Sequence, residues 1–277
     1  MTQHPFRQVN VFSAQPLGGN PLAVVHDADD LSDAQMATLA RWTNLSETTF
    51  LLKPTHPEAD YRVRIFTPSH ELPFAGHPTL GTCHAWLQAG GVSSDADTIR
   101  QECGVGLVTI RRESDRLEFA APPLMRTGPV DEQDLDKIAG GLGVSRSDIV
   151  AHQWIDNGPG WCAVMLDSAE QVLALQPNWT ALSPLHLGVV GRHQGDVDAT
   201  VEVRALIASR GCEDPVTGSL NAGLAQWLLS AGLVASPYVA AQGTAMQRQG
   251  RVYLREGSGE VWVGGQVLDV IQGDISL

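Results

Sequence analysis

The stretch Phe66–Val92, FTPSHELPFAGHPTLGTCHAWLQAGGV, decides how the rest of this chain folds. It reads as the end of a strand, a Pro/Gly-rich turn, and a helix that opens at Gly76-His77-Pro78 and closes at Gly90-Gly91. Proline suits a first helical turn, where its missing N–H costs nothing. Glycine suits the position just past the last turn, where the backbone often turns left-handed. The N–H groups of a first turn have no intrahelical partner and lie at the positive end of the helix dipole, so such a turn can seat an anion.

The chain does this twice. A shift of 142 residues lays Cys212–Val234, CEDPVTGSLNAGLAQWLLSAGLV, under the first stretch. Glu71 then meets Glu213, Pro73 meets Pro215, Gly76 meets Gly218 and Gly81 meets Gly223. Leu87 meets Leu229, Ala89-Gly90 meets Ala231-Gly232, and Val92 meets Val234. Upstream, the same shift pairs Arg62 with Arg204 and Ile65 with Ile207. A gapless run of matches over strand, turn and helix points to an internal duplication, with one special helix N-terminus per half.

Both helices are apolar nearly all round. The first carries Leu80, Cys83, Ala85, Trp86 and Leu87, and the second carries Leu220, Leu224, Ala225, Trp227, Leu228 and Leu229. A helix without a polar face is a buried helix. Short strands surround each one in the sequence. Those before the first stretch are expected at 6–13, 22–26, 48–52 and 61–66; those after it at 98–103, 106–112 and 116–120. A helix at Ser32–Thr43 is marked by Ser32 and Gln35 as a capping box. Ala121-Pro122-Pro123 is the first strong break. Beyond it a helix is expected at 131–142, with strands at 149–155, 161–166, 186–190, 199–207, 250–255, 260–264 and 266–271. The fold class is therefore α+β: two similar lobes, each of short antiparallel strands wrapped around one buried helix. Residues 1–122, completed by the last strand near 266–277, form the first lobe and 123–265 the second. The two helix N-termini would face a shared cleft.

Composition limits the function. At 277 residues with 43% apolar and 18% charged residues the chain is globular. A net charge of −13 opposes binding to nucleic acid or to an anionic membrane, but a small anionic ligand responds to local N–H groups instead. No apolar run is long enough for a membrane span, and residues 1–12 show no secretion signal. Four scattered cysteines without a CxxC suit the cytoplasm. There is no phosphate-binding P-loop, dinucleotide loop, HExxH or nucleophile elbow. His77 and His84 lack a third ligand nearby in sequence, so neither metal nor cofactor is called for.

By residue type alone, His77 reads as a capping or core histidine, and Asp214 and Ser219 read as helix caps. Glu47 does not stand out among 31 acidic residues. The motifs GNPLAVV (19–25), NLSETTFL (44–51), FTPSHELPFAGHPTLG (66–81) and EDPVTGS (213–219), in this order, resemble the PhzF-like phenazine-biosynthesis isomerase family. That family resembles diaminopimelate epimerase in fold, which implies two similar lobes, each an antiparallel, barrel-like sheet around its central buried helix, with the site between the lobes. The resemblance implies a cofactor-independent isomerase, a homodimer, acting on a small carboxylate or cyclic amino acid such as a dihydro-hydroxyanthranilate. It places the catalytic glutamate on Glu47, with His77, Asp214 and Ser219 beside it, and backbone N–H groups of Gly76 and Gly218 toward the substrate carboxylate. The aromatic residue that often precedes the family's second motif is absent here, where Ala205-Leu206-Ile207-Ala208-Ser209 stands. Two rival functions remain open: a two-thiol amino-acid racemase or epimerase using Cys83 and Cys212, and a non-catalytic protein that binds a small anion.

Overall fold

A helix with no charged face has to be enclosed, and each half of this chain encloses one. The computed structural model describes residues 2–277 apart from 94, 96 and 196. The chain falls into two units, one running to Ala120 and taking in Gly264–Leu277, the other spanning Ala121–Val263. In chain order the first unit contains β1 (Gln3–Val11), β2 (Asn20–Val25), α1 (Asp33–Thr43), β3 (Thr48–Leu52), β4 (Tyr61–Phe66), β5 (Glu71–Leu72), α2 (Gly76–Gln88), β6 (Thr98–Cys103), β7 (Gly106–Glu113) and β8 (Arg116–Ala120). The second begins with α3 (Glu132–Leu142), β9 (Ala151–Trp154), β10 (Trp161–Met165), α4 (Ala169–Ala174), α5 (Trp179–Leu182) and β11 (His186–Arg192). It continues with β12 (Val201–Ile207), β13 (Cys212–Asp214), α6 (Gly218–Ser230), β14 (Tyr238–Gln242), β15 (Gly250–Gly257) and β16 (Glu260–Gly265). The last strand, β17 (Val267–Ser276), returns to the first unit and pairs along the whole of β1.

The sheets are mixed, which corrects the expectation of antiparallel ones. In the first unit β1–β2 are antiparallel, β2–β3 parallel, β3–β4 antiparallel, β4–β6 parallel and β6–β7 antiparallel. The second unit follows the same succession through β9–β10, β10–β11, β11–β12, β12–β14 and β14–β15. A parallel pair needs a crossover that a tight turn cannot supply. The helices are those crossovers: α1 joins β2 to β3, α2 lies between β4 and β6, and α6 lies between β12 and β14. The sequence also hid α4, α5 and β14, which are only four to six residues long and too short to show a periodicity.

The helix α2 packs against β1, β2, β3, β6, β8 and β17. Gly81 allows the close approach, since a Cβ there would lie 2.5 Å from Leu22 Cδ2 and 2.9 Å from Val11 Cγ2. On the other side of this sheet, α1 closes a smaller core of Met36, Leu39 and Ala40 against Val25, Phe50 and Phe66. Its N-terminus carries the expected capping box of Ser32 and Gln35. In the second unit α3, α4 and α5 build the corresponding outer core with Leu135, Ile138, Val172 and Leu182 over Val164 and Val189.

The turns ahead of α2 and α6 are fixed by matching ion pairs. Arg64 holds Glu71 through two contacts of 2.8 and 2.6 Å. Arg204 holds Glu213 at 2.7 Å and also donates to the Leu175 carbonyl at 2.9 Å. The shift of 142 puts Arg62 under Arg204, yet it is Arg64 that meets Glu71. Seven positions separate Arg64 from Glu71 and nine separate Arg204 from Glu213. The second hairpin is longer by an even number of residues, so the arginine keeps its face of the strand. Both members of the second pair are 7% exposed, whereas Glu71 is 41% exposed and Arg64 also holds Asp33. Removing one partner of a buried pair strands a charge. Glu213→Ala should therefore cost about 3–5 kcal/mol in denaturant unfolding, and Glu71→Ala under about 1 kcal/mol.

Candidate active site

In the first unit the site is built where α1 hands over to β3. Asn44 ends α1 in the left-handed conformation, with φ 52° and ψ 31°. Thr48, 1% exposed, then anchors the start of β3, its hydroxyl 2.9 Å from that of Thr43. Glu47 is held between these two fixed points, its side chain 16% exposed. His77, the second residue of α2, reaches it: Nδ1 lies 3.3 Å from Glu47 Oε2. The residue is 4% exposed, and burial pushes its pKa from 6.5 down to about 3, with the Pro21 carbonyl acting more weakly in the opposite direction. The contact is thus one between a carboxyl group and a neutral imidazole, not an ion pair. A neutral ring can donate from Nδ1 to an ionised Glu47 or accept there from a protonated one. It adapts to the proton state of the carboxyl without becoming charged.

In the second unit Asp214 ends β13 and accepts the hydroxyl proton of Thr217 at Oδ2. Thr217 precedes α6 as its N-cap residue, and Gln242 at the end of β14 contacts both Thr217 and Asp214. Ser219, the second residue of α6, accepts a hydrogen bond of 3.1 Å from the Trp161 indole N–H, and its carbonyl accepts one of 2.9 Å from Asn157. An indole nitrogen can only donate, so the Ser219 hydroxyl hydrogen is directed elsewhere. The candidates therefore arrive in two groups. Glu47 and His77 are brought together within the first unit, with Gly76 next to His77 in the first turn of α2. Asp214, Gly218 and Ser219 cluster at the start of α6, but Asp214 and Ser219 hold different partners.

Trp161, Asn157, Thr217 and Gln242 were not singled out from sequence. The only local signal was the turn Asp156-Asn157-Gly158-Pro159-Gly160, in which Asp156 Oδ1 accepts from the N–H groups of Gly158 and Gly160, each at 2.7 Å. The thiols do not suit proton abstraction. Cys83 is fully buried and its pKa is pushed up to about 12, and burial also raises Cys212. A cysteine base must form thiolate. His84 contacts Asp269 at 3.4 Å, and no group of three potential metal ligands occurs among the described residues. A cavity of about 390 Å³ in the second unit, lined by Leu142, Val144, Asp148, Leu166 and Leu175 among others, contains none of the candidate residues.

A family profile for phenazine biosynthesis-like proteins matches residues 9–273. The chain belongs to this family. It is 37% identical to antisense-enhancing sequence 1 of Schizosaccharomyces pombe, over 99% of both chains. It is 35% identical to the trans-2,3-dihydro-3-hydroxyanthranilate isomerase of Pseudomonas aeruginosa, covering 93% of this chain and 92% of the relative. A crystal structure of a family member from Enterococcus faecalis superposes with a TM-score of 0.83 at 24% identity, covering all of both chains, which shows the shared fold. Like its named phenazine-family relatives, the protein is an isomerase. Among the described residues no helix is long and apolar enough to cross a membrane.

The buried neutral ring of His77 has two measurable consequences. Its NMR signals should not titrate between pH 5 and 8. The unfolded chain takes up a proton at His77 near 6.5, but the folded chain does so only near 3. Stability should therefore fall as pH drops from 6.5 toward 3, and the fall should be shallower in His77→Asn, as read by denaturant unfolding at each pH.

Proposed function

We propose that this isomerase moves a proton between carbon atoms of a small carboxylate or cyclic amino-acid-like substrate, without a cofactor, using Glu47 as the proton carrier. The observation that carries this reading is the 3.3 Å contact between Glu47 and a neutral, buried His77 at the start of a helix without charged residues. A 1,3-type proton shift needs one group that first takes a proton and then returns it. A carboxyl group in a largely enclosed setting does both, because desolvation brings its two states closer in energy. A cation beside Glu47 would hold it ionised. His77 stays neutral, so the carboxyl can cycle. The relative from Pseudomonas aeruginosa, named for trans-2,3-dihydro-3-hydroxyanthranilate, supports a substrate of that class.

The same reading assigns Asp214 to the reaction as a group that shares or positions protons, Ser219 to the substrate as a polar group for the electron-rich intermediate, and the N–H groups of Gly76 and Gly218 to the substrate carboxylate. Preorganised donors of this kind stabilise charge that appears only during the reaction. The reading also includes a duplicated origin for two barrel-like lobes, in support of which stand the matching strand successions and the equal thirteen-residue helices α2 and α6. It places the enzyme in the cytoplasm as a homodimer.

Proton NMR in D₂O with a panel of cyclic and acyclic amino acids, including a dihydro-hydroxyanthranilate, tests the chemistry. The wild-type protein should exchange a C–H proton or form a new isomer. Glu47→Gln keeps the shape and removes the proton carrier, and should reduce turnover by about 10²–10⁴-fold. Turnover at the wild-type rate in Glu47→Gln would overturn the assignment. Saturable binding of a substrate analogue with no conversion of any compound would favour a binding protein.

A further inference from the structure

Gln242 is fully buried and uses all four hydrogen-bonding positions of its amide. Its Oε1 accepts from the Thr217 backbone N–H at 3.0 Å and from Asn221 Nδ2 at 2.7 Å. Its Nε2 donates to the Asp214 carbonyl at 3.1 Å and to Thr217 Oγ1 at 3.0 Å. A backbone N–H can only donate, so the atom facing it must be the amide oxygen. That fixes the orientation of the amide. Thr217 Oγ1 therefore accepts from Gln242, and its one hydrogen is committed to Asp214 Oδ2.

Two further observations show that this arrangement is more than helix capping. Thr217 is the N-cap residue of α6, the position where a threonine hydroxyl ordinarily accepts from a helix N–H, yet its side chain makes no capping bond. The first unit also contains the same brace without the last step. There Gln101 Nε2 donates to Thr79 Oγ1 at 3.0 Å, and Thr79 donates to the carbonyl of the N-cap residue Ala75 at 2.9 Å. In the second unit Asn221 donates to the Thr217 carbonyl at 2.9 Å in the corresponding way. The shift of 142 puts Ala75 under Thr217 and Leu72 under Asp214. A strand glutamine bracing the helix start is thus common to both units and structural. Among the described residues, the brace continues through a hydroxyl to a carboxylate in the second unit, whereas in the first it ends on the Ala75 carbonyl.

We infer that Gln242 and Thr217 are positioning residues that orient Asp214 through a one-way hydrogen-bond relay, Gln242 to Thr217 to Asp214 Oδ2. The relay makes Oδ2 a permanent acceptor. A proton that Asp214 takes up or gives away is then carried on Oδ1. This inference rests on the assignment of Asp214 to the isomerisation, but the relay itself is a property of the resting protein.

The test uses the whole protein and three variants. Thr217→Val removes the hydroxyl at nearly constant shape, Thr217→Ser restores it, and Gln242→Glu replaces the donor by an acceptor that draws the Thr217 hydrogen to itself. The first readout needs no substrate: the ¹³C NMR signal of the Asp214 carboxyl carbon at pH 7. It should move in Thr217→Val and in Gln242→Glu and stay in place in Thr217→Ser. The second readout is kinetic. With a charge-assisted hydrogen bond at stake, kcat should fall about ten-fold or more in Thr217→Val and Gln242→Glu. KM should stay within about two-fold, and Thr217→Ser should restore kcat. An Asp214 signal unchanged in Thr217→Val overturns the relay, whatever the kinetics. A displaced signal with unchanged kcat leaves the relay standing and overturns the role of Asp214 in the reaction. Should Gln242→Glu fail to fold, the Val/Ser pair decides alone.

Discussion

Enclosing two helices that have no polar side to show to water is the constraint on which the rest of this protein depends. The inner faces of both sheets and the glycines that let the helices sit close all follow from that demand. So do the parallel pairs, because a chain that runs up one strand and must start the next in the same direction has to spend a helix on the way back. Gly223 shows how tight the enclosure is: a Cβ there would lie 2.5 Å from the backbone oxygen of Ile155, an atom that cannot step aside. The enclosure also desolvates whatever stands at the helix start. His77 is neutral for that reason, and the chemistry proposed for Glu47 depends on a neutral neighbour.

The two units build their helix starts on one plan and equip them with different side chains. In both, an arginine–glutamate pair sets the turn and a strand glutamine braces the helix start. What differs is what the brace supports. In the first unit it ends on the main chain at Ala75, and the polar character of the turn comes from His77 and from Glu47 on another segment. In the second it ends on Thr217, whose hydroxyl passes the interaction to a carboxylate. A structural device present in both units is carried one step further in the second.

Much of this was legible in the sequence, for definable reasons. The helices α2 and α6 could be read because thirteen residues without a charge, closed by glycine, have few alternatives. The capping box of α1 could be read because its two residues lie three apart and act on each other locally. Sheet direction could not, since a strand before and after a helix has the same periodicity whether the strands run parallel or not. Glu47 gave no local signal: its setting is made by Asn44 and Thr48 on either side and by His77 thirty residues later, and only the motif resemblance pointed to it. Gln242 was invisible because a glutamine ending a short strand is ordinary until its four hydrogen bonds are known.

The return of β17 to the first unit has a consequence for how the protein is made. Thr2 and Leu277 exchange two backbone hydrogen bonds, of 2.8 and 3.0 Å, so the two described ends of the chain lie side by side. On the ribosome the second unit is contiguous and can complete its own sheet as it emerges, whereas the first unit has β1 exposed along one edge until the last ten strand residues are synthesised. The order of synthesis and the order of completion are therefore opposite.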